Sequence, residues 1–431
     1  MLFSLDVVRA RKGDCFLLHY SVGGKPCHMI IDGGPAGVYA AHLKPRLADI
    51  RAARGLGPGE PLPVEVVVVS HIDDDHISGI LDLTRELREA RANRAPLLVG
   101  VRSLWHNSFD ALLATTPATS SQLGAAALEG DATISNVGFF DAAKVLSSIP
   151  QGHRLRDDAT FLAWTINPAF AGQPIVASTK PRTINLGDTL KMLVIGPMSA
   201  ELQELRKMHR KALKGRGRDE DAQRLLAAYV DRSVTNLSSI VLLAETNGKR
   251  MLFTGDARGD KILAGLELAN AVETGGKLHV DILKVPHHGS SNDVERDLFE
   301  RITADHYVFS GNGEHGNPER ETIEMLLDAR AGAHFIMHFT YPIADIDAGR
   351  EAEWNKQRER ELRLSSRPEA GKRSAKSAAA VREAWSPKQH SLAALFAERR
   401  LPDQNARIEW LDGRQPHVIN LLEDWGLGTA R

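Results

Sequence analysis

Val64-Glu65-Val66-Val67-Val68-Val69-Ser70-His71-Ile72-Asp73-Asp74-Asp75-His76 is the stretch on which the fold turns. Its first six residues form a near-continuous β-branched run, which predicts a strand buried on both faces. That strand runs straight into a loop of imidazoles and carboxylates. Alternate side chains of an extended loop point one way, so His71, Asp73 and Asp75, joined by His76, can gather around hard or borderline divalent ions. The bland alternative is a solvated acidic helix N-terminus, because Asp suits the first turn of the helix predicted from about Gly79 to Asn93.

Working outward, three more predicted strands end in groups of the same kind. Asp256 follows Arg250–Phe253, His287 and His288 follow Val280–Val285, and His315 follows Tyr307–Ser310. Each alone is as well explained by a satisfied loop histidine or a capping aspartate. Four together at the C-terminal ends of strands match the placement of sites in α/β architectures.

Further strands are predicted over 2–9, 14–20 and His28–Asp32, the last closed by Gly33-Gly34-Pro35. Residues 37–53 read as helix. Leu97–Leu104 reads as a strand running into Trp105-His106-Asn107. Asn247-Gly248 between apolar runs predicts a hairpin. The mixture of alternating and hairpin-linked strands fits an α/β (α+β) chain with two layers of sheet flanked by helices. Helical insertions are expected at about 108–160 and 200–230. After about residue 345 the composition shifts. Residues 346–390 read as a charged helix and linker, and 391–431 as a small extension with a hairpin around Leu411-Asp412-Gly413.

Composition sets the limits. The chain has 431 residues, 54 Lys+Arg against 55 Asp+Glu, a formal net charge of −1 and 42% hydrophobic residues. A sizeable core follows and wholesale disorder is excluded. Nothing in the net charge points to nucleic acid or a membrane surface. Cys15 and Cys27 are too few for a disulfide framework. The start lacks signal-peptide character, and no apolar run approaches the ~18 residues of a membrane helix. A cytoplasmic protein without membrane contact is the expectation.

Taken in order, the landmarks are Gly13-Asp14-Cys15; Ile30-Ile31-Asp32-Gly33-Gly34-Pro35; Ser70-His71-x-Asp73-x-Asp75-His76-x-x-Gly79; Asn236-x-x-Ser239; Leu252-x-Thr254-Gly255-Asp256; Leu283-Lys284-Val285-Pro286-His287-His288-Gly289-Ser290; and Glu314-His315-Gly316-Asn317-Pro318. This set resembles the metallo-β-lactamase-fold hydrolases, and among them the hydrolase domain of the competence protein ComEC and its soluble relatives. The likeness spans residues 1–340, within an expected hydrolase domain of 1–345, and leaves the tail uncovered. It implies an αββα sandwich holding two divalent ions, Zn²⁺ or Mn²⁺. His71 and Asp73 would serve one ion, Asp75 and His76 the other, with Asp256 as the bridge. One of His287 and His288 would complete the second site, and His287 is favoured because a single residue at a strand end usually turns inward. Most of the superfamily has His where Asp73 stands, and its usual third His of the first site falls near Asn236. The first site is therefore richer in oxygen than is usual.

The resemblance further implies hydrolysis by a metal-acidified water, oriented by Asp75, with His315 as a candidate general acid. Lys284 either binds phosphate or packs its stem with the head in solvent. Candidate substrate-binding residues are Asp32, Asn236, Ser290 and Ser291. Trp105-His106-Asn107 ends its strand on the side of the metal loop, so Trp105 and Asn107 either line the cleft or, for Trp105, pack in the core. The basic run containing Arg206, Arg210 and Lys214 either tracks a DNA or RNA backbone or is a solvated helix face. A phosphodiesterase, most plausibly a nuclease, is the first expectation. A small-molecule phosphoester, lactone or lactam hydrolase is the second, and a non-catalytic metal- or partner-binding module the third. The C-terminal tail is a candidate surface for a protein partner.

Overall fold

The computed structural model describes residues 1–108, 150–200, 202–203, 238–365, 381–401, 405–413, 415–423 and 426. Most of both expected helical insertions lies outside these residues. Among the described ones, two mixed sheets carry the architecture. The first holds β1 (Phe3–Val7), β2 (Phe16–Val22), β3 (Lys25–Ile31), β4 (Leu62–Val69), β5 (Val99–His106) and β6 (Thr165–Ile166), with β15 (His417–Asn420) outside β1. The second holds β7 (Thr183–Leu186), β8 (Leu190–Gly196), β9 (Val241–Thr246), β10 (Lys249–Phe253), β11 (Leu278–Lys284), β12 (Ile302–Phe309), β13 (Phe335–Phe339) and β14 (Ala406–Trp410) in chain order. Strands β3 to β6 run parallel, as do β10 to β14, and the remaining pairs are antiparallel.

The apolar side chains sort into three layers. Phe3, Leu5, Met29, Val66 and Val68 of the first sheet meet Met192, Leu242, Met251 and Ile282 of the second. On the first sheet's other face, Ile30, Val67 and Val69 pack against Leu47 and Ile50 of the helix Lys44–Ala53 and Ile77, Leu83 and Leu87 of the helix Asp74–Ala92. On the second sheet's outer face, Leu252, Leu283, Phe309 and Met337 meet Leu266, Phe299, Leu326 and Leu395 from four further helices. The order is helices, sheet, sheet, helices. Strand β4 is covered on both faces, as its valine run predicts. No described helix is long and apolar enough to cross a membrane.

The Asn247-Gly248 turn joins β9 to β10 with φ of 48° and 77°, the positive pair such hairpins need. The expected C-terminal hairpin does not form. β14 pairs in parallel with β13, and β15 pairs antiparallel with β1. Each segment meets an open sheet edge with unpaired backbone groups, so the chain crosses from one sheet to the other at Leu411–Pro416 instead of folding back.

The helix after β4 starts at Asp74, earlier than expected, with Asp74 and Asp75 in its electropositive first turn. It docks by direct backbone contact: Gly33 N–H donates to His76 O at 2.8 Å, and Gly79 N–H to Gly34 O at 2.8 Å. A Cβ on Gly79 would lie 1.8 Å from Gly33 O, so glycine is required there. We expect Gly79→Ala to lower the free energy of unfolding by about 1–3 kcal/mol or more, through overpacking. Gly59→Ala, where an added Cβ meets nothing within 4 Å, should change it by about 0.5 kcal/mol at most. Urea denaturation of both variants checks the contrast.

Candidate metal centre

Loops at the carboxyl ends of parallel strands from both sheets converge on one buried cluster. After β4 come His71, Asp73, Asp75 and His76. Asp73 occupies the helix N-cap yet makes no side-chain capping bond. Its Oδ2 lies 3.9 Å from His71 Nε2 instead, so capping does not explain this aspartate. After β10 comes Asp256, whose backbone N–H donates to Ser239 Oγ at 3.2 Å. After β11 come His287 and His288, at φ of 46° and 54°. Left-handed conformations cost non-glycine residues about 1–3 kcal/mol each and collect where structure over-determines them. Here they turn both consecutive rings toward Asp256.

Asp256 is the hub. Its Oδ1 lies 3.3 Å from His76 Nε2, and its Oδ2 lies 3.7, 3.6 and 3.7 Å from Nε2 of His71, His288 and His287. Ligand atoms of His71, His76 and Asp256 fall within 4.8 Å of one another, as do those of Asp75, His76 and His288. His71 Nε2, His76 Nε2, His288 Nε2 and Asp256 Oδ1 are buried with no hydrogen-bond partner among the described residues. Each such group costs about 1–3 kcal/mol when left unsatisfied, a cost that a metal ion among them would offset. The far nitrogens, by contrast, are held. His76 Nδ1 lies 2.9 Å from Asp32, His288 Nδ1 3.0 Å from Ser310 Oγ, His71 Nδ1 3.1 Å from Ser70 Oγ, and His287 Nδ1 2.5 Å from Asp293. Partners on the outer nitrogen fix ring orientation at metal centres. These buried His and Asp groups can hold a metal ion.

The other residues singled out in the sequence take varied places. Asp32 is buried behind His76, with its oxygens also taking Ser70 N–H and Oγ at 2.7 Å each, so both its oxygens are engaged within the cluster. Lys284 has neither its head in solvent nor an open phosphate position: Nζ is buried 2.6 Å from Asp14 Oδ2 and 2.8 Å from Gly255 O. Trp105 packs in the layer between the sheets, edge-on to Phe170. Asn107 is buried, clamping the backbone of Ile175 from both sides at 2.7 and 2.8 Å. Ser290 is buried beneath the turn, and Ser291 Oγ donates to Glu319 and, at 3.1 Å, to Glu321. His315 is exposed, its Nε2 3.4 Å from Lys12 Nζ, and lines a cavity of about 600 Å³ with Glu319, Arg320 and Trp354. Asn236, Arg206, Arg210 and Lys214 lie outside the described residues.

Both His287 and His288 reach Asp256, but His288 is the more enclosed and alone enters the groups of converging ligand atoms. Asp14, which sequence reading leaves as a landmark without a role, belongs to the centre. It accepts from Ser310 Oγ, pairs with Lys284 and lies 3.2 Å from His288 Nδ1. Burial would raise its carboxyl, but Lys284 and His288 outweigh burial and hold it well below the usual range.

The protons already show the competition for this space. Burial and His76 push His71 down to about 3. Burial also opposes charge on His76, His287 and His288, yet Asp256 and the carboxylates behind each ring raise all three, His287 to about 9.

No family model matches the chain. It is similar to microtubule-associated protein 1A of Homo sapiens at 32% identity over 102 residues, 23% of this chain and 4% of that protein. The Mus musculus counterpart gives 31% over 94 residues, 22% of this chain and 3% of that one. The matched stretches thus span a small fraction of those relatives' length. Among solved structures, a protein of unknown function from Enterococcus faecalis overlaps 79% of this chain and 71% of its own at 11% identity, with a TM-score of 0.27.

Groups with raised pKa carry protons at neutral pH and must release them to ligate. We therefore expect Zn²⁺ or Mn²⁺ uptake at pH 7 to release protons, and affinity to weaken as pH falls from about 8 to about 6. Calorimetry in buffers of different ionisation enthalpy measures both, and Asp256→Asn should abolish the signal at this centre.

Proposed function

We propose that the chain is a metallo-β-lactamase-fold hydrolase that cleaves phosphodiesters at a dinuclear centre, a polynucleotide being the favoured substrate. One observation carries this reading. Inward-facing Nε2 atoms of His71, His76 and His288 converge from both sheets on Asp256, unbonded, with their outer nitrogens held. A purely structural polar cluster would satisfy those atoms internally. Its helix–sheet–sheet–helix layering and the order of its motifs along the chain support the same reading.

Zn²⁺ or Mn²⁺ fits the mixed nitrogen and oxygen set. His71, Asp73 and Asp256 would hold one ion, and Asp75, His76, His288 and Asp256 the other. When bound, such ions lower the pKa of water and neutralise charge on a phosphoryl oxygen. The chain's own residues do the rest. Asp32, Ser70, Ser310 and Asp14 fix the rings that ligate. Asp75, in the first turn of its helix, orients the attacking water. His287 stands partly open at the edge of the cluster, with Nδ1 on Asp293 and Nε2 turned inward. It is therefore better placed than the exposed His315 to hold a proton at Nε2 for the leaving oxygen.

His71→Ala and Asp256→Ala should abolish phosphodiester hydrolysis while circular dichroism shows an intact fold. His288→Gln should lose metal by elemental analysis. His287→Gln should keep its metal and lose turnover, by about 10²–10⁴-fold for a general acid. Retention of wild-type turnover in Asp256→Ala across DNA, RNA and simple phosphodiesters would overturn the proposal.

If a polynucleotide is the substrate, Arg206, Arg210 and Lys214 supply phosphate contacts. Replacing all three by Gln should then flatten the slope of log affinity against log salt by about 0.7–0.9 per lost contact. Hydrolysis of a small phosphodiester should be unchanged. An unaltered slope would favour a small-molecule substrate.

A further inference from the structure

At the seam formed by the C-terminal strands lies a second histidine cluster, separate from the centre around Asp256. His306 on β12, His338 on β13 and Glu409 on β14 belong to the second sheet, and His417 on β15 to the first. His338 and Glu409 are direct register partners and so share a face. His417 pairs with Val7, whose side chain points into the layer between the sheets. Polar groups from both sheets thus meet where that layer would otherwise be apolar.

The distances are those of a ligand set. His338 Nδ1 lies 2.8 Å from His417 Nε2 and 3.5 Å from Glu409 Oε2. Ligand atoms of His338, Glu409 and His417 all fall within 4.8 Å of one another. Metal–ligand bonds of about 2.1 Å in a tetrahedron put ligand atoms about 3.4 Å apart, so small ring movements admit an ion among them. The other nitrogen of His338 is already engaged, with Nε2 2.9 Å from His306 Nδ1. That outer partner is what a ligating imidazole normally has, fixing both tautomer and ring angle. His338 is buried, while His417 is half-buried and Glu409 exposed, so the cluster opens to solvent on the Glu409 side.

We propose that His338, His417 and Glu409 form a structural metal site for a zinc-class divalent ion, oriented by His306, that fastens the two C-terminal strands across the two sheets. Two imidazoles and one carboxylate suit Zn²⁺ better than Mg²⁺ or Ca²⁺. Two of its ligands, Glu409 and His417, come from the last strand of each sheet and His338 from β13 beside them, and β14 and β15 are joined only through the crossing at 411–416. An ion there would hold both edges in place where no hairpin does.

The test uses the full-length chain with the first centre disabled by His71→Ala and Asp256→Asn. Titration with Co²⁺, followed by visible absorption, should show one remaining equivalent with a tetrahedral-type spectrum, and Zn²⁺ should displace it. Adding His417→Gln should remove that equivalent together with the rise in thermal midpoint that Zn²⁺ produces. His306→Gln should weaken binding by about 10–100-fold, the usual cost of losing an outer-shell partner. His417 sits on an edge strand, so its variant tests the site even if His338→Gln fails to fold. Absence of that equivalent in the disabled chain, or its persistence undiminished in the His417→Gln variant, would overturn the proposal. Neither result depends on whether the first centre is a hydrolase.

Discussion

Beneath the candidate metal centre, Lys284 Nζ and Asp14 Oδ2 meet at 2.6 Å, fully enclosed. Asp14 leads into β2 of the first sheet and Lys284 ends β11 of the second, so this ion pair ties the sheets together where the ligand loops converge. Buried charges are costly unless paired and further bonded. Both conditions are met, because Lys284 also donates to Gly255 O, and Asp14 also takes Ser310 Oγ. Lys284 does a second job through distance: Nζ lies 3.8 Å from Asp256 Oδ1. In a pocket holding Asp14, Asp32, Asp75 and Asp256, one fixed cation lowers the repulsion among the carboxylates. The centre can therefore be assembled before any ion arrives.

Geometry above that pair depends on backbone conformations that side-chain chemistry alone would not select. Asp32, His287 and His288 all adopt positive φ. Gly33 and Gly79 allow a helix N-terminus to touch the loop after β3. This contact fixes the first helical turn, and with it Asp75 and His76. Gly13 belongs to the same arrangement, since a Cβ there would stand 1.9 Å from Asp75 O. The loop glycines thus belong to the candidate metal centre in effect, although none offers a side-chain ligand atom.

Much of this was legible in the sequence. Val64–Val69 reads as a strand covered on both faces, and ligand-type residues at the ends of such strands gather because parallel strands share a carboxyl edge. Asp14 escaped for the complementary reason. It precedes β2, and β2 runs antiparallel to β3, which brings the start of one strand beside the end of the other. Pairing direction decides this, and a single strand's composition does not reveal it. Lys284 and Asn107 escaped because burial at a strand end depends on what the opposite sheet supplies, and the same dependence left Trp105 open between cleft and core until its place in the core was seen. His287 and His288 resisted the rule that one residue turns inward because two successive left-handed residues turn both. Sequence pattern also suggested that the C-terminal strands pair with each other, whereas each completes an open edge of a different sheet.

That last difference bears on how the tail and the centre are related. β13 ends at Phe339 and is followed by Thr340, whose Oγ1 accepts from Gly311 N–H at 2.9 Å. Gly311 follows Ser310, the residue bonded to both His288 and Asp14. On its other side β13 carries β14, with Phe339 and Trp410 in register. A short chain of hydrogen bonds and strand pairing therefore runs from β14, through β13 and the 310–311 turn, to the rings that face Asp256. Because β14 lies on an edge, its pairing is the least supported step in that chain. The C-terminal strand β14 is thus tied, through β13 and Thr340, to the turn whose Ser310 holds the outer nitrogen of His288.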